Sequence, residues 1–321
     1  MSSGSSGPFK VAAIQDFPCY LDLEATLAKS VSLIERSAAL GARLVVFPET
    51  WAPGYPFWYW RISDEHNKAL QKTFTILVKN SVRVPSYFTE RLGKCARECN
   101  IHVVMGIQEL TGSCTLFNSQ IFFDNKGKLL GVHRKLVPTF AERMIWSQGN
   151  GSTLNVFDTD IGRLGGLICW EHFMPLARYS MYSKGMQISA SCWPASRSGK
   201  SHLASQFMAF EGRCFVVHSA AYIAKSCLPA GIPILDELEL PDVIFHGGSA
   251  ILDPNGDYLT KVEYETIAIK VAEIDLDQTI AFKQNLDVVG HYARPEVFKL
   301  SVNTHDFASF EETDSSADPI A

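Results

Sequence analysis

The sequence predicts a layered α/β domain, and three observations predict it. The first half alternates apolar strand-like runs with helix-spaced stretches, and the second half repeats that grammar. Each half also carries a tight turn, with Asp and Gly between apolar flanks. Phe9–Gln15 reads as a strand. Leu23, Leu27, Val31, Ile34 and Ala38 fall at helical spacing, Gly41 is the stop, and residues 43–47 form a short buried strand. Leu70, Phe74, Leu77 and Val78 mark a second helix and residues 92–99 a third, followed by a strand over 101–107. Hairpins are expected at 121–130, turning at Gly127, and at 251–259, turning at Gly256; their likeness suggests two similar halves. Between them, 163–169, 187–191 and 214–220 read as strands, 173–184 and 203–211 as helices, and 267–274 as a late strand. Residues 229–246 break the rhythm. Pro229, Pro233 and Pro241 stand there with Asp236, Glu237, Glu239 and Asp242, which reads as a long surface loop.

At 321 residues and 46% hydrophobic content, the chain can bury a large core in one big domain. Residues 1–7 are Ser and Gly apart from Met1, and read as a flexible leader or cloning scar rather than a signal peptide. Residues 8–304 read as a single domain and 305–321 as a flexible C-terminal tail. A formal net charge of −5, with 20% charged residues, gives no footprint for nucleic acid. No apolar run approaches a membrane span, so a soluble protein with no membrane partner is expected. The eight cysteines form no C-x-x-C pair, and a reducing cytoplasm is the expected location. Cys95 and Cys99 can share a helix face, but no His or carboxylate pattern accompanies them, so neither metal nor cofactor is expected.

Chemistry concentrates in three blocks. Cys169 ends the run Gly165-Gly166-Leu167-Ile168 just before Trp170-Glu171-His172, where a nucleophile would be placed. A free thiol is only a few per cent ionised at neutral pH, so it needs a base and a positive charge. Glu49, at the end of Leu44-Val45-Val46-Phe47-Pro48, and Lys135, after Val132-His133-Arg134, can supply them. Taken singly, each is a weak signal: a cysteine after an apolar strand is usually a packed core residue. Together, in the order Glu, Lys, Cys, they resemble the nitrilase superfamily of carbon–nitrogen hydrolases. Glu49-Thr50-Trp51, Pro53-Gly54-Tyr55-Pro56, Thr139-Phe140-Ala141-Glu142-Arg143, Cys169-Trp170-Glu171-His172 and Ser191-Cys192-Trp193-Pro194 look like its nitrilase branch. So does Gly290-His291-Tyr292-Ala293-Arg294-Pro295, though Glu296 stands where aspartate is commoner.

The resemblance implies a four-layer α-β-β-α sandwich over 8–304, a single carbon–nitrogen hydrolase domain, with the two hairpin-bearing halves packed as its two sheets. It implies Cys169 as nucleophile, Glu49 as general base, Lys135 as the cation beside the reacting nitrogen, and Glu142 as a second glutamate holding Lys135 charged. Glu142 read alone could instead be a surface salt bridge to Arg134 or Arg143. Tyr55, Trp170 and Trp193 are candidate substrate-binding residues, with the Trp170 N–H also a donor to the reacting nitrogen. Glu171 is suited to orienting the turn after Cys169, and His172 is tempting as a base. The implied reaction converts a small-molecule nitrile and water to a carboxylic acid and ammonia through a thioimidate and a thioester. An amidase, a cyanide-hydrolysing enzyme and a silent assembly protein are the alternatives. The resemblance further implies homodimers assembling into larger homo-oligomers or spirals, with 229–246 and the Gly290 block at the interfaces.

Overall fold

The computed structural model describes residues 7–195 and 199–306. The leader expected over 1–7 and the tail over 305–321 thus lie almost wholly outside the described residues. In chain order the first half runs β1 (Phe9–Gln15), α1 (Leu23–Ala39), β2 (Ala42–Val46), α2 (Asn67–Lys79), α3 (Tyr87–Glu98), β3 (His102–Leu110), β4 (Leu116–Phe123) and β5 (Leu129–Arg134). The second continues with β6 (Val156–Thr159), β7 (Gly162–Ile168), α4 (Pro175–Ser183), β8 (Ile188–Trp193), α5 (Lys200–Gly212), β9 (Phe215–Ala220) and β10 (Tyr222–Ala224). It closes with α6 (Pro233–Glu237), β11 (Val243–His246), β12 (Ala250–Leu252), β13 (Ala268–Ile274) and α7 (Asp277–Ala281).

Two sheets stack face to face. The six-stranded sheet has the order β13-β1-β2-β3-β4-β5 and the five-stranded sheet β12-β9-β8-β7-β6. Strand periodicity sorts β1 between layers: Val11 and Ala13 pack with Leu164, Ile188, Ala190 and Val217 of the facing sheet, while Ala12 and Ile14 pack under the helices with Leu33 and Ile34 of α1 and Leu92 of α3. On the far side, Met181 of α4 and Met208 of α5 cover Leu167 and Val216. The result is the expected α-β-β-α sandwich. Helix α1 begins where the Asp22 carboxylate accepts the Ala25 N–H at 2.9 Å, and ends before Gly41, whose φ of +86° only glycine adopts without strain.

Three expectations are corrected. The halves are not the sheets: β13, from the end of the chain, pairs antiparallel with β1, since Ile269 and Val271 complete the helix-side core and Ile274 the core between the sheets. The 251–259 hairpin turns as expected, with the Asp253 N–H on the Asp257 carbonyl at 2.9 Å and the Leu259 N–H on the Ile251 carbonyl at 2.8 Å, but its returning arm is a single bridge at Tyr258 and not a second strand. Residues 229–246 are not a surface loop. They contain α6 and β11, and Ile234, Leu235 and Leu240 are buried beside Tyr55, Phe57 and Leu77, with the Ile234 N–H on the Thr73 hydroxyl at 3.0 Å.

Candidate active site

Glu49, Lys135 and Cys169 each sit just past the end of a strand, β2, β5 and β7, and Glu142 lies in the 3-10 turn Phe140–Met144 that follows β5. The Glu49 N–H donates to the Trp193 carbonyl at 3.3 Å and the Lys135 N–H to the Asn118 carbonyl at 2.8 Å, which ties the loop residues to the sheets. All four side chains are buried. The Lys135 ammonium donates to Glu49 Oε1 and to Glu142 Oε2, both at 2.8 Å. Asn118 Nδ2 donates to the same Glu49 Oε1 at 2.6 Å, while Glu49 Oε2 is buried with no hydrogen-bond partner among the described residues. Neither arginine takes Glu142: Arg134 grips Glu109, and Arg143 Nε donates to the Pro138 carbonyl.

Burial pushes the Glu49 carboxyl up to about 7 against the pull of Lys135. Burial works against the Lys135 ammonium, but Glu49 and Glu142 outweigh it and hold Lys135 well above the ordinary lysine range. Burial, reinforced by Glu49, pushes the Cys169 thiol well up, opposed by Lys135 and the Trp170 N–H. The three groups thus feel one another's charge in one buried cluster, with the thiol held neutral and the ammonium held charged. Cys169 adopts φ +52°, a left-handed conformation that costs a non-glycine residue about 1 kcal/mol or more, held here by its neighbours.

Glu171 does much of the holding. Its Oε2 accepts the Ile168 N–H at 2.8 Å and lies 3.0 Å from His133 Nε2, while Oε1 accepts the Leu136 N–H at 2.6 Å. One buried carboxylate so joins the strand entering Cys169 to the residue after Lys135. Burial opposes its charge, but His133 and the two N–H groups win and hold the carboxyl below the usual glutamate range. Glu171→Ala is expected to cost about 3 kcal/mol of stability at pH 7 by urea unfolding. Because the folded carboxyl is depressed, that advantage is present above the unfolded glutamate range and fades as pH falls through the folded value. A gap between wild type and variant that stays constant as pH is taken well below the ordinary glutamate range would contradict the clamp. His172 is not a base for the thiol: Nδ1 lies 2.7 Å from the Cys169 carbonyl and Nε2 2.7 Å from Ser191 Oγ, and burial pushes the imidazole down to about 4.

The expected substrate-binding residues separate. Tyr55 is buried, and its hydroxyl donates to Glu142 Oε1 at 2.7 Å, so it joins the charged cluster. Trp193 is buried and stacked between His172 and His218, at centroid distances of 4.9 and 5.5 Å, with Nε1 unpartnered among the described residues. The Trp170 indole is 49% exposed beside Phe173, and what Trp170 brings to Cys169 is its backbone N–H. Asn118 was not foreseen; the polar run Asn118-Ser119-Gln120 inside an apolar strand was its signal. Cys95 and Cys99 lie 3.9 Å apart through their sulfurs, and no group of three or more metal-ligating side chains gathers among the described residues. Nor, among these residues, is any helix long and apolar enough to cross a membrane.

A two-sheet sandwich with a buried cysteine, lysine and paired glutamates at its strand ends defines the class as hydrolase-like. The family model for carbon–nitrogen hydrolases matches residues 10–284, and the chain belongs to that family. Nitrilase 3 of Arabidopsis thaliana is 38% identical over 308 residues, 94% of this chain and 88% of its own length. The aliphatic nitrilase of Sinorhizobium fredii (strain HH103) is 39% identical over 302 residues, 92% of this chain and 96% of its own. In fold, the chain is similar to Saccharomyces cerevisiae Nit3, a member of branch 10 of the nitrilase superfamily, with a TM-score of 0.70, 23% identity, and coverage of 89% of this chain and 97% of that one.

Proposed function

We propose that the protein hydrolyses an organic nitrile to a carboxylic acid and ammonia, with Cys169 as nucleophile. The observation that carries this reading is the Lys135 ammonium fixed between Glu49 and Glu142 in the same buried cluster as the thiol. Glu49, through its open Oε2, takes the thiol proton as sulfur attacks the nitrile carbon. Two of the three Lys135 N–H donors are spent on carboxylates; the third faces the negative charge that grows on nitrogen. Glu49 returns the proton to nitrogen, giving a thioimidate. Water, deprotonated by Glu49, then adds to carbon, nitrogen leaves as ammonia, and a second water cleaves the thioester to free acid and thiol. Tyr55 and Trp193 line the reacting end of the pocket in this proposal, and Trp170 contributes its N–H.

The similarity to curated nitrilases favours nitriles over amides or cyanide as substrate, since all of these can use the same Cys, Glu and Lys. Incubation with panels of nitriles, amides and cyanide, with ammonia and acid quantified, tests the reading. Stoichiometric acid and ammonia from nitriles are expected; turnover confined to amides or cyanide would overturn it, and no turnover with no adduct at Cys169 would favour the assembly protein. Self-association into homodimers and larger homo-oligomers is part of the same proposal.

A further inference from the structure

We propose that Trp60 and Tyr55 are positioning residues that decide which of the two glutamates beside Lys135 receives the thiol proton; this rests on the reading of Cys169 and Glu49 given above. Trp60 ends the 3-10 turn Phe57–Trp60 and is 46% exposed, its ring tilted against Phe140 at a centroid distance of 5.5 Å. Its indole Nε1–H reaches the Tyr55 hydroxyl at 3.2 Å, and that hydroxyl reaches Glu142 Oε1 at 2.7 Å. An indole nitrogen only donates, so the Tyr55 oxygen accepts, and its one proton is directed at the carboxylate. The chain of donors runs one way, from the surface indole through the phenol to Glu142.

The consequence is an asymmetry between two carboxylates on one ammonium. Glu142 takes Lys135 and the Thr139 N–H on Oε2, the latter at 2.7 Å, and Tyr55 on Oε1. Both its oxygens are engaged. Glu49 takes Lys135 and Asn118 on Oε1 alone and keeps Oε2 open. A thiol proton therefore finds a vacant lone pair on Glu49 and an occupied carboxylate at Glu142. Without the Trp60 N–H the Tyr55 hydroxyl is free to turn, Oε1 of Glu142 loses its directed donor, and the two glutamates compete for Lys135 and for the proton.

A double-mutant cycle tests this. Trp60→Phe keeps an aromatic ring against Phe140 and removes the N–H; Tyr55→Phe removes the hydroxyl. The readouts are the pH profile of iodoacetamide alkylation, followed at Cys169 by peptide mass, and kcat and KM for a nitrile that is turned over. Each single variant is expected to slow alkylation near pH 7 and lower kcat by about three- to tenfold, the range of one directed hydrogen bond, with KM changed less than about twofold. Combining them should slow alkylation no further than Tyr55→Phe alone. Multiplying effects, an unchanged alkylation profile, or a change confined to KM would overturn the proposal and make Trp60 and Tyr55 pocket walls only. Coupled alkylation without nitrile turnover would uphold the positioning role and refute the nitrile reading instead. If Tyr55→Phe fails to fold, Trp60→Phe and Trp60→Leu decide the question: equal slowing supports the N–H, and slowing by leucine alone refutes it.

Discussion

Cys169→Ala is expected to lower kcat by roughly 10⁴-fold or more while leaving the unfolding midpoint near that of the wild type. The thiol is buried, and the substitution removes only the sulfur and its hydrogen, leaving the Cβ in place. The backbone there already adopts φ +52°, which alanine tolerates no worse than cysteine, so the fold has no reason to change. Quenched turnover followed by intact mass should show an acyl adduct on the wild type and none on the variant. Cys192 and Cys214 are poor substitutes, since both are fully buried and their thiols donate to the Phe47 and Met208 carbonyls. Residual ammonia release at more than about one per cent of the wild-type rate would mean that the reaction does not pass through this sulfur.

Lys135→Met is expected to lose both activity and stability, and the second loss has a diagnostic pH dependence. Methionine roughly matches the stem but leaves Glu49 and Glu142 buried and facing each other, a change that costs about 3–5 kcal/mol when one partner of a buried ion pair is removed. Catalysis should fall by about 10²–10³-fold, as for the loss of one charge-stabilising donor. Burial already lifts Glu49 from an ordinary value of 4.5 to about 7 with Lys135 present; without it the carboxyl rises further. A group whose folded pKa exceeds its unfolded one adds stability below the unfolded value and loses it as pH climbs through the folded value. The variant should therefore become more stable as pH is lowered from 8 toward 5, where proton uptake by Glu49 replaces the missing ammonium. Urea titrations across that range check it; a variant that loses stability on acidification would mean the carboxylates find water or another cation.

The elements legible in the sequence are those whose periodicity and burial coincide. Strand β1 and helix α1 alternate or repeat apolar residues on faces that the structure does bury, and Cys169, Lys135 and Glu49 betray themselves as charged or reactive residues ending such strands. Residues 229–246 misled because prolines and acids dominate a local reading, while Ile234, Leu235 and Leu240 find their partners on α2 and the aromatic cluster, far away in sequence. The Tyr55 hydroxyl on Glu142 was illegible for the same reason: it joins residues 87 apart, and nothing local marks a tyrosine in an aromatic run as part of a charge network. Strand β13 was recognised as a strand but not placed, since periodicity reports faces and not neighbours.

That placement bears on how the chain is made. The edge of β1 opposite β2 is closed by residues 268–274, with Phe9 opposite Ile274 and Gln15 opposite Ala268. During synthesis β1 leaves the ribosome well before β13 and waits for that neighbour until nearly the whole sandwich has emerged. Its backbone donors and acceptors stay open to other strands throughout that interval. A ribosome stalled before residue 268 would thus present an unfinished sheet rather than a smaller folded protein.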